Sequence, residues 1–491
     1  MTALRTVLWL ALSASLSAQP AVRTLAIDPA AASHAFPHFW EQMFGSGRAV
    51  ISLRESYRND LRQVKKVTDV RYVRFHAIFD RETAAYDEDQ QGQPVYNWSY
   101  VDQIYDGLLA NGVRPFVELS FMPAKLAANL QWHDFWYRPL PSPPKDYAKW
   151  EELVYQFTRH LVERYGHDEV MQWYFEVWNE PNIDFWTGVP KQSTYFELYD
   201  HAARAVKRAS PDLRVGGPAT AQAAWVGDMI RHAVERKVPL DFVSTHVYGN
   251  DRAQDVFGTE ENIPRADMVG RSVQKVYKEV QSSSMPRVPI IWSEYNASYK
   301  NEVDVTDSAF MGPWLANNIR QCDGMTSIMS YWTFSDVFEE QGIIKTPFYG
   351  GYGVMAESGV PKAIFNAFAL LHQLGAVRLN HDDPDVLVTR KDDGTLTIAV
   401  WNYAEPGETG QAKTFLTAVK GVKQAKRYHV EIVDPKHGSA LETWRQMGSP
   451  PFPTREQYSQ LRNTASTTLK LDGPLFTLPA HGLALVTVRL K

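Results

Sequence analysis

The sequence predicts an α/β protein: a (β/α)8 TIM barrel with an accessory C-terminal antiparallel β-sandwich. Two observations carry this. Between about residues 39 and 376, short apolar runs alternate with amphipathic helical stretches, the pattern of a parallel sheet with helices on its faces. After Leu374-Gly375 the period shifts to alternation by two, and Asp392-Asp393-Gly394 reads as a hairpin turn. At 491 residues the chain has room for a large domain and a smaller one.

Taken in order, the first apolar run is Val7 to Leu12, which follows Arg5 and leads into small residues around Ser15 to Ala18. It reads as a secretory signal peptide over residues 1–18, with Leu16 an imperfect fit to the cleavage pattern. The expected location is periplasmic or secreted, and the run is too short to span a membrane. Barrel strands are expected at 39–44, 70–75, 114–119, 171–177, 214–217, 242–246, 290–294 and 327–333, within a catalytic barrel over 37–376. Apolar residues recur at three- and four-residue spacing over 147–164, 195–208 and 266–280, which are read as helices. The proline-rich segment 139–144 is a rigid loop, since the helical pattern resumes at Tyr147. Residues 19–36 and 377–491 are assigned to the sandwich; strands at 386–389 and 395–401 flank the hairpin, and Val486, Val488 and Leu490 alternate with Thr487 and Arg489.

Composition excludes several classes. Apolar residues at 44% and charged residues at 22% describe a globular chain, and a net charge of −5 without any Lys/Arg block excludes nucleic acid as a partner. The single Cys322 forbids an intrachain disulfide. No zinc-protease, paired-cysteine or phosphate-loop motif occurs and the His residues are scattered, so neither a metal nor a cofactor is expected. Fifteen Trp and 23 Tyr make a heavy aromatic load; such rings stack on sugars, although large folds also bury many. Nothing in the sequence fixes an oligomeric state.

Two carboxylates stand where chemistry is expected. Glu180 follows the apolar run ending at Trp178, and Glu294 ends the run Pro289-Ile290-Ile291-Trp292-Ser293. Both close barrel strands, the fourth and the seventh, at the rim that carries active sites in this fold. Glycosidic cleavage needs one carboxylic acid to protonate the leaving oxygen and one carboxylate to attack the anomeric carbon. Either glutamate alone would more simply be a solvated ion-pair partner; the flanking Trp residues and the strand count favour a catalytic pair.

Further motifs resemble the glycoside hydrolase family 39 β-xylosidases, in the family's order. They are Arg74-Phe75-His76-Ala77-Ile78-Phe79, Arg114-Pro115-Phe116-Val117-Glu118-Leu119, Phe121-Met122-Pro123, Pro144-Lys145-Asp146-Tyr147, Phe175 to Asn182, Tyr331 to Glu340, and Gly350-Gly351-Tyr352-Gly353. Asn179-Glu180-Pro181 alone indicates only the wider clan of retaining barrels, whereas Phe334 to Glu340 is far more specific, and the likeness weakens beyond Trp401. The resemblance implies that Glu180 is the acid/base, Glu294 the nucleophile and Asn179 a donor to the sugar 2-hydroxyl. It further implies that His76, Phe121, His246 and Tyr248 line the pocket, Trp332 is the sugar platform, and Glu339 and Glu340 bind the distal hydroxyls of a terminal xylose. Such acidic acceptors would repel the uronic acid taken by the family's α-L-iduronidases.

The activity expected is exo-acting hydrolysis of xylo-oligosaccharides with retention. The same machinery on an α-L-arabinofuranoside, another glycoside or an exopolysaccharide is the alternative, since the loops 135–144 and 251–265 that set pocket depth have no derivable conformation. A non-catalytic carbohydrate-binding barrel is the reading from another class; the presence of both glutamates argues against it.

Overall fold

The computed structural model describes residues 22–424 and 427–490; the signal peptide read at 1–18 lies outside them. Eight strands close into a parallel barrel: β1 (Met43–Gly45), β2 (Tyr72–Phe75), β3 (Arg114–Leu119), β4 (Tyr174–Val177), β5 (Arg214–Thr220), β6 (Phe242–Tyr248), β7 (Ile290–Asn296) and β8 (Ile328–Tyr331). Each overlaps one of the expected runs; β1 ends one residue beyond its run, and β5, β6 and β7 extend two or three residues further towards the barrel mouth. The helices Tyr147–Tyr165, Lys191–Ala209 and Arg265–Gln281 fall where the periodicity places them. The first is capped by Asp146, whose carboxylate accepts from the Ala148 and Lys149 amides.

Side-chain alternation divides each strand between two environments. Val73, Phe75, Val117, Leu119, Phe175, Val177 and Trp292 face outwards into the large core beneath the helices. Met43, Phe116, Phe242, Ile291 and Ile328 face inwards and plug the lower barrel, with Tyr72 and Tyr174 against them. Two residues further along the same strands, the inward positions become polar: Arg74, Glu118, Glu176 and Ser244, all buried. The next step up reaches the mouth. The barrel is thus apolar at its base and ionic above, and side chains that end strands rest on a charged floor.

The C-terminal region holds a seven-stranded sheet in which Leu396–Asn402 pairs antiparallel with both Val386–Arg390 and Gly482–Val488. One of its faces, with Val386, Val388, Ile398, Val400, Val486 and Val488, packs in a core shared with the three-stranded sheet of Val22–Ile27, Lys413–Val419 and Leu475–Leu478. The other face, with Leu387, Ala399, Trp401, Leu483 and Leu485, joins the barrel core. Both faces of the sheet are therefore buried, one of them against the barrel. Ser33–Ala35 pairs with Val377–Leu379, so the chain enters and leaves the barrel through one sheet.

Two features differ from the expected antiparallel sandwich. Val22–Ile27 pairs parallel to Lys413–Val419, which the long excursion through the barrel between them permits. Helices Leu441–Gln446 and Arg455–Ala465 interrupt the sheet sequence, their apolar side chains Leu441, Trp444 and Leu461 covering Phe348 and Val360. No helix among the described residues is long and apolar enough to cross a membrane.

Candidate active site

Glu180 and Glu294 face one cavity at the barrel mouth, of about 410 Å³, lined also by His76, Asn179, Tyr248, Trp332, Glu340 and Tyr352 among others. That volume suits a small ligand. Each glutamate is aimed by a local irregularity in its strand. Between β6 and β7 the pairing shifts, Thr245 facing Trp292 but His246 facing Glu294. Ser293 is the extra residue of this bulge, so Ser293 and Glu294 both serve the interior. At the end of β4 the chain turns through left-handed backbone at Trp178 (φ 72°) and Glu180 (φ 44°). The Trp178 indole donates to the Phe185 carbonyl at 2.8 Å, and the Glu180 amide to the Ala219 carbonyl at 2.8 Å. Non-glycine residues hold such conformations where the surroundings over-determine them, as functional sites do.

Arg74 organises the floor. Its guanidinium, fully buried, donates to Glu176 at 2.6 Å, Glu294 at 2.7 Å and Asn179 Oδ1 at 3.0 Å, and pairs with Glu118 at 2.7 Å. Because Asn179 Oδ1 accepts from Arg74, the amide turns its Nδ2 donor away from the floor. His76 Nδ1 lies 2.7 Å from Glu118. Burial opposes a charged imidazole there, but Glu118 and then Glu294 outweigh it, and the His76 pKa is raised. The Tyr248 hydroxyl donates to Glu294 at 2.7 Å.

The two glutamates differ in what surrounds them. Burial raises both pKa values, Glu180 well above the ordinary carboxyl range, with the charges of Glu294 and Asp251 adding to the effect. For Glu294, burial is opposed by Arg74, His76 and the Tyr248 hydroxyl. Glu180 therefore holds its proton the more tightly of the two, while Arg74, His76 and the Tyr248 hydroxyl favour the anion of Glu294. One carboxylate oxygen of each and a ring nitrogen of His246 lie within 4.8 Å of one another.

A chain of hydrogen bonds gives the proton its direction. The Ser293 hydroxyl donates to Glu176 at 2.5 Å, so its oxygen accepts from His246 Nε2 at 3.0 Å. His246 Nδ1 is then an acceptor, 3.0 Å from Glu180 Oε1. Burial, followed by Arg74 and His76, drives the His246 pKa well below its usual value. A neutral imidazole facing a protonated carboxyl satisfies every bond in the chain.

Not every residue singled out in the sequence lines the cavity. His76, Asn179, Tyr248, Trp332 and Glu340 do. His246 stands behind Glu180, and Phe121 is fully buried between His76 and Trp178. Glu339 is not among the lining: its backbone is left-handed (φ 64°), and its carboxylate accepts from Arg54 at 2.5 and 2.9 Å and from Arg48 at 3.2 Å. Burial opposes ionisation there, but Arg54 and Arg48 prevail and lower its pKa. Glu340 does face the cavity, with Oε1 buried and unbonded. Burial pushes its pKa up to about 8, so at neutral pH it is a neutral carboxyl that can donate as well as accept.

Arg74, Glu118 and Glu176 form the charged floor, with the Ser293 hydroxyl bonded to Glu176, and the sequence motifs that contain them imply no role for them. A signal for the first three existed: charged residues within strands buried on both faces must be paired, and pairing at that depth places them under the mouth.

Two groups of side chains bring ligating atoms within reach of a metal ion among the described residues: Glu180, His246 and Glu294, and His38, Glu41 and His372. In the first, Glu294 already accepts from Arg74 and Tyr248, and the guanidinium opposes a cation. In the second, Glu41 bonds His38 at 2.6 Å and His372 at 2.8 Å, tying the start of the barrel to the helix Ala363–Leu371.

A family model, Glycosyl hydrolases family 39, matches residues 23–476. A β-xylosidase of Geobacillus stearothermophilus is 36% identical over 437 residues, covering 87% of this chain and 86% of its own length. Among solved structures, a monomeric β-xylosidase from Caulobacter crescentus CB15 superposes with a TM-score of 0.85 at 32% identity, covering 96% of this chain and 100% of that one. A family 39 enzyme from Xanthomonas axonopodis pv. citri superposes equally well, with a TM-score of 0.85, 30% identity and coverages of 98% and 100%.

Proposed function

The chain belongs to glycosyl hydrolase family 39 and is a glycoside hydrolase; from that premise we propose that it is a retaining, exo-acting β-xylosidase, with Glu294 as nucleophile and Glu180 as acid/base. The observation that carries this reading is the pair itself: two carboxyls with oxygens within 4.8 Å of each other, of which Glu294 accepts from Arg74 and Tyr248 and Glu180 faces His246. Retaining glycosidases hold their carboxyls roughly 5–5.5 Å apart, and inverting ones leave room for a water at roughly 6.5–9.5 Å.

In the first step Glu294 Oε attacks the anomeric carbon as the bond to the leaving oxygen breaks, and the Glu180 proton passes to that oxygen. Tyr248 and Arg74 hold the attacking carboxylate in place. In the second step Glu180, now the carboxylate, takes a proton from water, whose oxygen displaces Glu294 and frees the sugar with its original configuration. The Asn179 amide is placed to donate to the 2-hydroxyl as positive charge develops on the ring.

The cavity's chemistry supports a neutral sugar. Its lining contains the carboxyls of Glu180, Asp184, Asp251, Glu294 and Glu340 and neither Lys nor Arg, so a uronate would meet no free cation. Trp332 and Glu340, both buried, bound the part of the cavity next to Glu294, which supports binding of a terminal residue. Similarity to β-xylosidases over most of the chain supports xylose in particular.

Xylobiose digestion followed from its first minutes by proton NMR tests the reading. The xylose from the non-reducing end should appear first as the β anomer, in excess over the α/β mixture that the leaving residue brings with it. An early excess of α-xylose over that mixture would contradict retention, and inert xylobiose with rapid cleavage of an α-L-arabinofuranoside would replace xylose by the other pentose.

A further inference from the structure

Beyond the bond to be cleaved, the leaving group must lie on the side of Glu180, because that carboxyl has to reach the glycosidic oxygen. The cavity continues there. Ile183 and Phe185 follow Glu180 on the same loop, and Phe135, His133 and Gln222 complete this part of the lining. His133 stacks on Phe185 with ring centroids 4.3 Å apart and planes 15° apart, and Phe135 packs 5.2 Å from Phe185. Behind the partly exposed Phe135 ring there is therefore a fixed aromatic backing.

Gln222 is held by unusual backbone. Four non-glycine residues in the seven from Ala219 to Trp225 have positive φ: Ala219 (53°), Gln222 (62°), Ala223 (53°) and Trp225 (59°). Non-glycine residues keep such backbone where the surroundings over-determine it and position matters. The segment is clamped to the Glu180 loop: Asn182 Nδ2 donates to the Ala221 carbonyl at 3.0 Å, and the Ala221 amide donates to Asn182 Oδ1 at 2.9 Å. Gln222 is thus tied to the loop that carries Glu180. Its side-chain amide lines the cavity.

We propose that Phe135 and Gln222 form the subsite for the leaving sugar, a neutral pyranose: Phe135 offers its face to the ring's C–H surface, and the Gln222 amide both donates to and accepts from its hydroxyls. This rests on the xylosidase reading, and it makes Phe135 and Gln222 the residues that separate an oligosaccharide from a substrate with no leaving sugar.

The test compares kcat/KM for xylobiose with that for β-D-xylosyl fluoride, whose leaving group is too small to reach the subsite, in the full-length wild type, Phe135→Ala, Gln222→Ala and Gln222→Gly. Both Ala variants should lose about tenfold on xylobiose, some 1.4 kcal/mol of transition-state binding, and stay within about twofold of wild type on the fluoride. Gln222→Gly removes the amide and relieves the left-handed backbone together, so it should lose as much as Gln222→Ala; recovery to wild-type rates would assign the effect to the backbone and overturn the role of the amide. Parallel losses on both substrates, or xylobiose rates unchanged in Phe135→Ala and Gln222→Ala, would overturn the subsite. A wild type that hydrolyses neither xyloside would instead overturn the xylosidase reading, and the same ratio is then read on the disaccharide and fluoride of the glycosyl group it does cleave.

Discussion

His246 accepts a hydrogen bond from Glu180 rather than donating one. Its Nδ1 lies 3.0 Å from Glu180 Oε1, and its Nε2 faces a Ser293 oxygen whose hydroxyl is committed to Glu176 at 2.5 Å. The acid/base is thereby kept protonated by a bond made two residues away from it.

Removing Ser293 frees that constraint. In Ser293→Ala, His246 can take the other tautomer and donate from Nδ1, which stabilises the Glu180 carboxylate and lowers its pKa. The basic limb of the kcat/KM profile should move to lower pH, while rates on its acidic side change less. A structural role alone would lower the whole profile without moving the limb.

Glu180→Ala should lose activity in proportion to how much its proton is needed: roughly 10²- to 10⁴-fold on xylobiose and far less on aryl xylosides with good leaving groups. In the wild type, activity falls as pH drops through the Glu294 pKa, because the nucleophile is then protonated. It also falls as pH rises through the Glu180 pKa, which burial and Glu294 hold well above the carboxyl range. The variant should lose the basic limb on the aryl substrates, measured from kcat/KM between pH 4 and 9.

The barrel was legible because strands of a parallel sheet are buried on both sides and read as apolar runs. The common cavity of Glu180 and Glu294 could be read for the same reason, since both end such runs. Glu339 was not legible: its direction depends on one left-handed residue and on Arg48 and Arg54, almost three hundred residues away in sequence. The Ser293 bulge was equally hidden, because a shift in pairing between β6 and β7 leaves no mark on composition. The C-terminal helices escaped notice because Arg455–Ala465 is mostly polar, with only Leu461 and Ala465 buried.

Arg74 carries the charge balance of the floor. Arg74→Ala leaves the carboxylates of Glu118, Glu176 and Glu294 buried without their cation and should cost about 3–5 kcal/mol of stability, seen in urea unfolding. Arg74→Lys keeps the charge but cannot span all its partners. Its acidic limb should move to higher pH as Glu294 loses part of its stabilisation.

Glu340 separates charge from shape. With its pKa pushed up to about 8 by burial, it is neutral over the working range, so Glu340→Gln should retain most of the activity at pH 6 and Glu340→Ala should raise KM for xylobiose about tenfold or more. Equal losses in both variants at pH 6 would mean that an ionised carboxylate is required.

The central claim, a covalent intermediate on Glu294, is tested most directly by trapping. A 2-deoxy-2-fluoro-β-xyloside with a good leaving group should inactivate the enzyme by slowing the second step more than the first, and peptide mass mapping should find one fluoroxylosyl group on Glu294; Glu294→Ala should neither turn over nor label. Label on Glu180 or elsewhere, or turnover by Glu294→Ala, would contradict it.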